Sequence, residues 1–347
     1  MIHRTPLTGP HPSQWSRSLP RTPRPLRRRG DADAPRHHDA CRRRPRAVCR
    51  QHRVHAHLLG PGDAHDPGLA FFYGGMVRVK STLNMLMMSF ISLGIVTILW
   101  VLYGFSLAFG SDIGSVIGWS GDYVGLSGIG LTELWDGTTI PVYVFAAFQL
   151  MFAVLTPALI SGALADRVKF TAWALFIVLW VTIVYFPVAH WVWGSGGWLF
   201  EMGVIDFAGG TAVHINAGAA ALGVIFVIGK RIGFKKDPMR PHSLPLVMLG
   251  AALLWFGWFG FNAGSWLGND DGVGAVMFLN TQVATAAAVL GWLIYEKLRH
   301  GSFTTLGAAS GAVSGLVAIT PRVVPSPRSA PSRSVPSPVS CAPWRSA

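Results

Sequence analysis

Aromatic side chains recur at helical spacing in the middle of this chain. Phe145, Phe148 and Phe152 lie three and four residues apart, which places them on one face of a helix. A second aromatic stretch, WFGWFGFNAGS, ends at the hydroxyl of Ser265. The face of an aromatic ring attracts a cation, and a hydroxyl oxygen accepts hydrogen bonds from it. The pattern favours a site for a small cation of ammonium size, with ordinary packing as the alternative interpretation.

Two ionisable residues lie near one another in apolar sequence. His214 is placed deep in an apolar stretch, DFAGGTAVHINAGAA, where a polar group is costly unless it faces a pathway or a partner. Its imidazole can both donate and accept a proton, although a satisfied packing histidine is the alternative. Asp206 is the first residue of the same stretch, and its alternative is a helix N-cap that accepts bonds from free backbone N–H groups.

Long apolar segments must position these residues. The chain has 347 residues, of which 51% are hydrophobic and 13% charged, far from the composition of an average soluble domain. A membrane helix needs about 20 apolar residues, and several runs reach that length. The predicted spans cover residues 81–108, 139–163, 171–193, 209–229, 244–266, 274–297 and 303–320. Small residues at helical spacing, Gly307, Gly311 and Gly315, predict close helix packing in the last of them.

The charges between the spans predict an orientation. Residues 67–321 carry 11 basic and 11 acidic side chains, and every Lys and Arg falls on alternate connections. By the positive-inside rule those connections are cytoplasmic. The basic residues are Arg78, Lys80, Arg167, Lys169, Lys230, Arg231, Lys235, Lys236, Arg240, Lys297 and Arg299.

The two ends of the chain have a different composition. Residues 1–66 contain 14 Arg and five Asp, and residues 322–347 are rich in Pro, Ser and Arg, so the net charge of +13 belongs to the ends. Neither end can bury enough apolar surface to fold alone, and we predict that both are disordered. The basic segment lacks aromatic interleaving and any reader motif, so we expect no nucleic-acid partner.

The cysteines and the motif content predict no metal or cofactor. The three cysteines, Cys41, Cys49 and Cys341, lie in the ends without zinc-ligand spacing. The middle of the chain has no nucleophile elbow and no phosphate loop, which argues against an enzyme.

Seven motifs together resemble one family. They are PGLAFFYGGMVRVKSTLNML, GALADRVKF, PVAHWVWG, DFAGGTAVHINAG, GKRIGF, WFGFNAGS and NTQVATAAAVLGW. In this order they are similar to the ammonium transporter (Amt/Mep/Rh) family. The resemblance implies an all-α polytopic membrane protein, with about seven of the family's eleven transmembrane helices in this chain. It also implies a homotrimer in the plasma membrane and transport of ammonium or ammonia.

The resemblance assigns roles to matching residues. Trp193, Phe152 and Ser265 match an outer recruitment site, where the rings supply cation–π faces and the hydroxyl accepts an ammonium N–H. Phe152 and Phe261 match a stacked aromatic gate below that site. Asp206 matches a buried aspartate that holds the site together and favours a nearby cation.

His214 matches the first of two pore histidines, which relay a proton while ammonia passes. The apolar pore selects ammonium over potassium because only ammonium can leave its proton behind. The second pore histidine and the last three helices of the family pattern have no counterpart here, and residues 67–76 are too short to cross a membrane.

These departures leave alternatives open. The abrupt change of composition at both boundaries predicts ends translated from a shifted reading frame, against a family variant with basic tails. A non-conducting fragment and an ammonium-sensing membrane protein are alternative functions. The altered tail puts docking of a P-II type regulator in doubt.

Overall fold

Helices account for most of the part of the chain that the computed structural model describes, residues 64–267 and 272–323. The α-helices are α1 (His65–Met76), α2 (Thr82–Leu99), α3 (Phe105–Phe109), α4 (Val142–Ser161), α5 (Phe170–Trp180), α6 (Phe186–Trp193), α7 (Trp198–Glu201), α8 (Asn216–Ile228), α9 (Leu244–Gly264), α10 (Val273–His300) and α11 (Thr305–Ile319). The π-helical segments are Trp100–Gly104, Val181–Tyr185 and Gly210–Ile215, and the 3-10 turns are Val79–Ser81, Gly121–Leu126, Gly162–Leu164 and Thr320–Arg322.

Six helical stretches of the described residues are long and apolar enough to cross a membrane. They are Val79–Phe109, Val142–Leu164, Phe170–Glu201, Gly210–Ile228, Leu244–Gly264 and Val273–His300. The seventh predicted span, 303–320, is the 15-residue helix α11. Thr304 caps its start by accepting from the Gly307 N–H, and a 3-10 turn containing Pro321 follows its end. At about 1.5 Å per residue α11 is shorter than a hydrocarbon core, so the expected seventh full span is corrected to a short helix.

A small hairpin departs from the all-α prediction. Strands β1 (Ser111–Ile113) and β2 (Ile117–Trp119) pair antiparallel, with Ile113 opposite Ile117. Gly114 and Ser115 between them both have positive φ, +65° and +61°, which suits the twist of a tight hairpin turn. The hairpin follows the first long span, Val79–Phe109. The all-α prediction is therefore wrong only for this connection, and the membrane spans themselves are helical.

The predicted close packing of small residues is confirmed between α10 and α11. A Cβ added to Gly315 would lie 2.6 Å from the Ala288 Cβ, and one added to Gly311 would lie 2.9 Å from the Trp292 Cβ. No side chain larger than hydrogen fits at either position, so the two helix backbones meet directly.

Helix α1 begins at His65, two residues before the boundary predicted for the folded region. His65 and Asp66 are 1% and 3% exposed, so these two residues belong to the packed domain and not to the preceding segment. His65 shares the buried face of α1 with Leu69 and Phe72, at spacings of four and three. This face packs along α9, where a Cβ on Gly250 would lie 2.2 Å from the Phe72 nitrogen.

Several predictions concern residues outside the described ranges. They are the disorder of residues 1–63 and 324–347 and the roles of Cys41, Cys49 and Cys341. At the C-terminal boundary, Arg322 lies in a 3-10 turn and Val323 is fully buried, so the disorder predicted from residue 322 onward is wrong for these two residues.

Candidate functional site

Asp206 anchors the start of the helix that carries His214. Its Oδ1 accepts the backbone N–H groups of Gly209 and Gly210 at 2.8 and 2.6 Å. Its Oδ2 accepts those of Thr211 and Ala212 at 2.7 and 2.8 Å. The carboxylate is 8% exposed and receives four charge-assisted hydrogen bonds. These bonds satisfy donors that a helix start leaves unpaired.

Gly209 makes this arrangement possible. Its φ is +100°, in the left-handed region that favours glycine. A Cβ there would lie 2.8 Å from the Val213 Cγ2 and 3.3 Å from the Phe152 ring. The missing side chain therefore permits both the turn and the approach of the aromatic ring.

Trp193, at the end of α6, is held by the backbone of the same loop. Its Nε1 donates to the Asp206 carbonyl oxygen at 2.9 Å. The Trp193 ring meets the Phe152 ring edge to face, with centroids 5.5 Å apart. The structure therefore brings together two of the three residues assigned to recruitment.

Ser265, the third of them, follows α9. Its hydroxyl donates to the Phe261 carbonyl at 2.7 Å, one helical turn earlier. Because the hydrogen is used in this bond, the oxygen lone pairs remain for an external donor. Ser265 is linked to the aromatic rings through its hydrogen bond to the Phe261 backbone.

Phe152 and Phe261, the two residues predicted to form a gate, lie in contact. Their centroids are 4.3 Å apart, with the ring planes inclined by 39°. The two rings are thus tilted and not parallel. Both side chains are 1% exposed.

A histidine that the sequence analysis did not select lies next to this gate. The His65 ring stacks on Phe261, with centroids 4.4 Å apart and planes at 23°. It also meets Trp258 at 4.7 Å. The sequence upstream of Pro67 is polar, so His65 was assigned to the disordered segment. Its spacing from Leu69 and Phe72 nevertheless places it on an apolar helix face.

His214 also contacts Trp258. The two rings stack with centroids 5.4 Å apart and planes at 15°. Trp258 is itself fixed by a hydrogen bond from its Nε1 to the Thr320 hydroxyl at 2.7 Å. Both histidine rings therefore contact the Trp258 ring.

Three ring nitrogens of these histidines have no hydrogen-bond partner among the described residues. Both nitrogens of His65 and Nε2 of His214 are buried without a hydrogen bond to any described residue. Most buried polar groups are paired, and unpaired ones mark places where a ligand or water is bound. The arrangement can therefore accept a hydrogen bond or a proton from a small polar guest.

His190 is a further buried histidine that the sequence analysis did not select. Its Nδ1 lies 3.0 Å from the Ala108 carbonyl, and its Nε2 lies 2.9 Å from Asp112 Oδ1. The hydrogen bond from His190 lowers the pKa of Asp112, against a smaller effect of burial. The His190–Asp112 hydrogen bond joins the β1–β2 hairpin to α6. The sequence signal that could have selected His190 is its position in the motif PVAHWVWG.

The described residues, 64–267 and 272–323, contain no group of three or more His, Cys, Asp or Glu side chains placed to hold a metal ion.

The model of the Ammonium Transporter Family matches residues 64–326. The chain belongs to this family. An ammonium transporter of Mycobacterium tuberculosis (strain H37Rv) is 58% identical over 277 residues, which cover 74% of this chain and 58% of that protein. The crystal structure of Saccharomyces cerevisiae Mep2 superposes with a TM-score of 0.72 at 33% identity, over 80% of this chain and 63% of Mep2. A solved Sensor Amt Protein gives a TM-score of 0.73 at 29% identity, over 80% of this chain and 69% of that one.

These comparisons confirm the family resemblance and the polytopic helical membrane fold. The family consists of membrane transporters and not of enzymes. The chain spans less than two thirds of the M. tuberculosis transporter and of Mep2.

Proposed function

We propose that this chain conducts ammonium as ammonia plus a proton across the membrane, along its column of aromatic and imidazole rings. The observation that carries the proposal is the unbroken series of ring contacts from Trp193 through Phe152 and Phe261 to His65, at 5.5, 4.3 and 4.4 Å. This series leads from a polar rim to buried imidazole nitrogens. The names of the relatives support the same substrate for this chain.

Recruitment of the cation follows from the rim of the column. Trp193 and Phe152 supply ring faces, and the Ser265 oxygen has free lone pairs. The Asp206 carboxylate is already used by four backbone amides, so it acts by holding the helix start, while the Asp206 backbone carbonyl holds Trp193. Its negative charge still favours a cation nearby, as a field and not as a ligand.

Selection occurs where the column becomes apolar. The contact of Phe152 with Phe261 leaves no group that could replace the hydration shell of an ion, so a charged species pays a large transfer cost. Ammonium avoids that cost by giving up its proton, and potassium cannot. The unpaired nitrogens of His65 and His214 are placed to receive a proton or a hydrogen bond beyond the gate.

His65 is the second imidazole of this proposal. The resemblance left this chain with one pore histidine, and the structure supports a pair built from α1 and the Gly210–Ile215 segment. In this proposal the two rings share the proton that ammonium releases.

The test is uptake of methylammonium by liposomes that contain the purified full chain. His214→Ala and His65→Leu are expected to lower uptake at least about tenfold, because each removes a proton acceptor. Cys41→Ser, far from the column in sequence and outside the described residues, is expected to leave uptake unchanged. Each variant is first required to keep the wild-type circular dichroism and a monodisperse elution profile. Equal loss in all three folded variants would contradict the proposed pore.

The alternatives predict different results in the same liposomes. A non-conducting fragment gives uptake no higher than protein-free liposomes from a well-folded wild-type chain. A sensor, suggested by the Sensor Amt neighbour, binds ammonium with a change in tryptophan fluorescence and shows no uptake.

The assembly and orientation are also part of the proposal. We place the chain in the plasma membrane as a homotrimer, with the Lys and Arg connections in the cytoplasm. The orientation is tested by the accessibility of a cysteine introduced at Lys236, compared with one introduced at Ser127, in a chain whose three native cysteines are replaced by serine. Chemical cross-linking in the membrane tests the trimer.

A further inference from the structure

A cavity of about 510 Å³ is lined by residues that do not belong to the aromatic column. Three cationic side chains line it: Arg167, Lys230 and Arg231. Its apolar wall includes Phe226 and Phe234. No acidic side chain is among its lining residues, so the cavity combines positive charge with hydrocarbon surface.

The carboxylate of Asp166, which precedes Arg167 in the sequence, already has cationic partners. Asp166 forms a salt bridge with Arg78 at 2.8 Å and accepts hydrogen bonds from Arg78 and Ser81. Arg231 forms a second, longer ion pair with Asp166, at 3.8 Å. Lys230 forms no ion pair within the described part of the chain. Asp166 therefore has two cationic partners for one negative charge, and Lys230 keeps its whole charge available for an anion.

Arg167 forms the floor of the cavity. Its terminal nitrogens donate to the carbonyls of Gly229 and Ala163, which hold the guanidinium in place. Its Nε is buried without a partner among the described residues. Burial, and then the charge of Arg231, lower the pKa of Arg167, which means that the two guanidinium groups repel each other. A bound anion would relieve this repulsion.

Long apolar helices end beside the cavity. It adjoins the C-terminal ends of two candidate spans, Val142–Leu164 and Gly210–Ile228. Phe226 and Val227, at the end of the second span, are 78% and 86% exposed. Exposed apolar side chains beside basic ones suit a molecule that carries an acyl chain below a phosphate, and a soluble anion would not use them.

We propose that this cavity binds the phosphate headgroup of an anionic phospholipid, with its acyl chain along Phe226. The phosphate receives hydrogen bonds from Lys230 and Arg231, and Arg167 supplies the fixed positive floor. This site is independent of the proposed transport, because it shares no residue with the aromatic column.

The experiment measures lipid-dependent stabilisation of the purified full chain in detergent. Short-chain phosphatidylglycerol, short-chain phosphatidylcholine and inorganic phosphate are titrated separately while the unfolding temperature is recorded. The test variant is Lys230→Gln with Arg231→Gln. The matched control is Lys236→Gln with Arg240→Gln, which removes the same charge from the same connection outside the cavity.

Phosphatidylglycerol is expected to raise the unfolding temperature more than phosphatidylcholine does. The test variant is expected to weaken its apparent affinity at least about tenfold, and the control variant to leave it unchanged. If the double variant does not fold, Lys230→Gln alone is used, because Lys230 forms no ion pair in the described structure.

Three results would overturn the proposal. Equal stabilisation by both lipids would remove the need for the basic residues. Equal weakening in test and control variants would show a general charge effect of the connection. Stabilisation by inorganic phosphate at the same concentrations as phosphatidylglycerol would indicate a soluble anion in place of a lipid. These measurements of the unfolding temperature do not depend on methylammonium uptake, so a failure of the proposed transport would leave the lipid proposal unaffected.

Discussion

Replacing Asp206 by Asn tests whether this carboxylate holds the site together through backbone amides. The substitution keeps the size of the side chain but leaves one acceptor oxygen in place of two. Two of the four amides that now donate to the carboxylate, either Gly209 and Gly210 or Thr211 and Ala212, would then face an NH₂ group.

The expected loss follows from those two orphaned donors. A buried donor left without its acceptor costs about 1–3 kcal/mol, so the pair costs about 2–6 kcal/mol. Solvent relieves little of this cost because Asp206 is 8% exposed. The four bonds are short, 2.6–2.8 Å, which favours the upper half of that range.

The assay is reversible unfolding in mixed micelles with increasing sodium dodecyl sulfate, followed by far-ultraviolet circular dichroism. Glu201→Gln is the matched control, because it makes the same chemical change at an exposed carboxylate that accepts no side-chain hydrogen bond within the described residues. The control is expected to shift the free energy of unfolding by less than about 0.5 kcal/mol.

A loss below about 1 kcal/mol for Asp206→Asn would refute this account. It would mean that water or a shifted loop satisfies the amides, and that Asp206 is present for its charge. A folded Asp206→Asn protein with normal stability and reduced methylammonium uptake would point to that electrostatic role.

Two further predictions concern the same region and the hairpin. Gly209→Ala is expected to lower the free energy of unfolding by about 1–3 kcal/mol, because it adds a Cβ 2.8 Å from Val213 at a φ of +100°. Gly203→Ala, with positive φ but open space around it, separates the steric clash from the backbone strain, and an equal loss in both variants would exclude the clash. Asp112, whose pKa is lowered by the hydrogen bond from His190, stabilises the fold above the usual Asp pKa and loses this contribution as the pH falls through the lowered value. Melting temperatures between about pH 6 and pH 3 should therefore fall more steeply for the wild type than for Asp112→Asn, and parallel curves would contradict the linkage.

Short-range patterns in the sequence were sufficient for the membrane domain. Apolar run length placed the six long spans, because a helix must satisfy its backbone within one segment to cross lipid. Glycine spacing predicted the α10–α11 contact, since backbone approach depends only on which residues lack side chains. Family motifs led to Trp193, Phe152 and Phe261, and the three rings do form one series of contacts.

Long-range contacts decided what these patterns could not. His65 lies in a polar stretch that reads as the end of a disordered segment, and only the packing of α1 on α9 places it against Phe261. The short length of α11 depends on its cap and on the turn at Pro321. His190 and Asp112 are 78 residues apart, so no local pattern connects them.

The sequence alone therefore determined the class of the protein, its long spans and the residue types of the column, because hydrophobic length, charge alternation and motif spacing act over a few helical turns. Only the tertiary structure decided which side chains meet. It placed His65 and His214 against the same Trp258 ring, saturated Asp206 with amides and gathered Arg167, Lys230 and Arg231 around one cavity. These contacts join residues far apart in the chain, and their geometry depends on how whole helices pack.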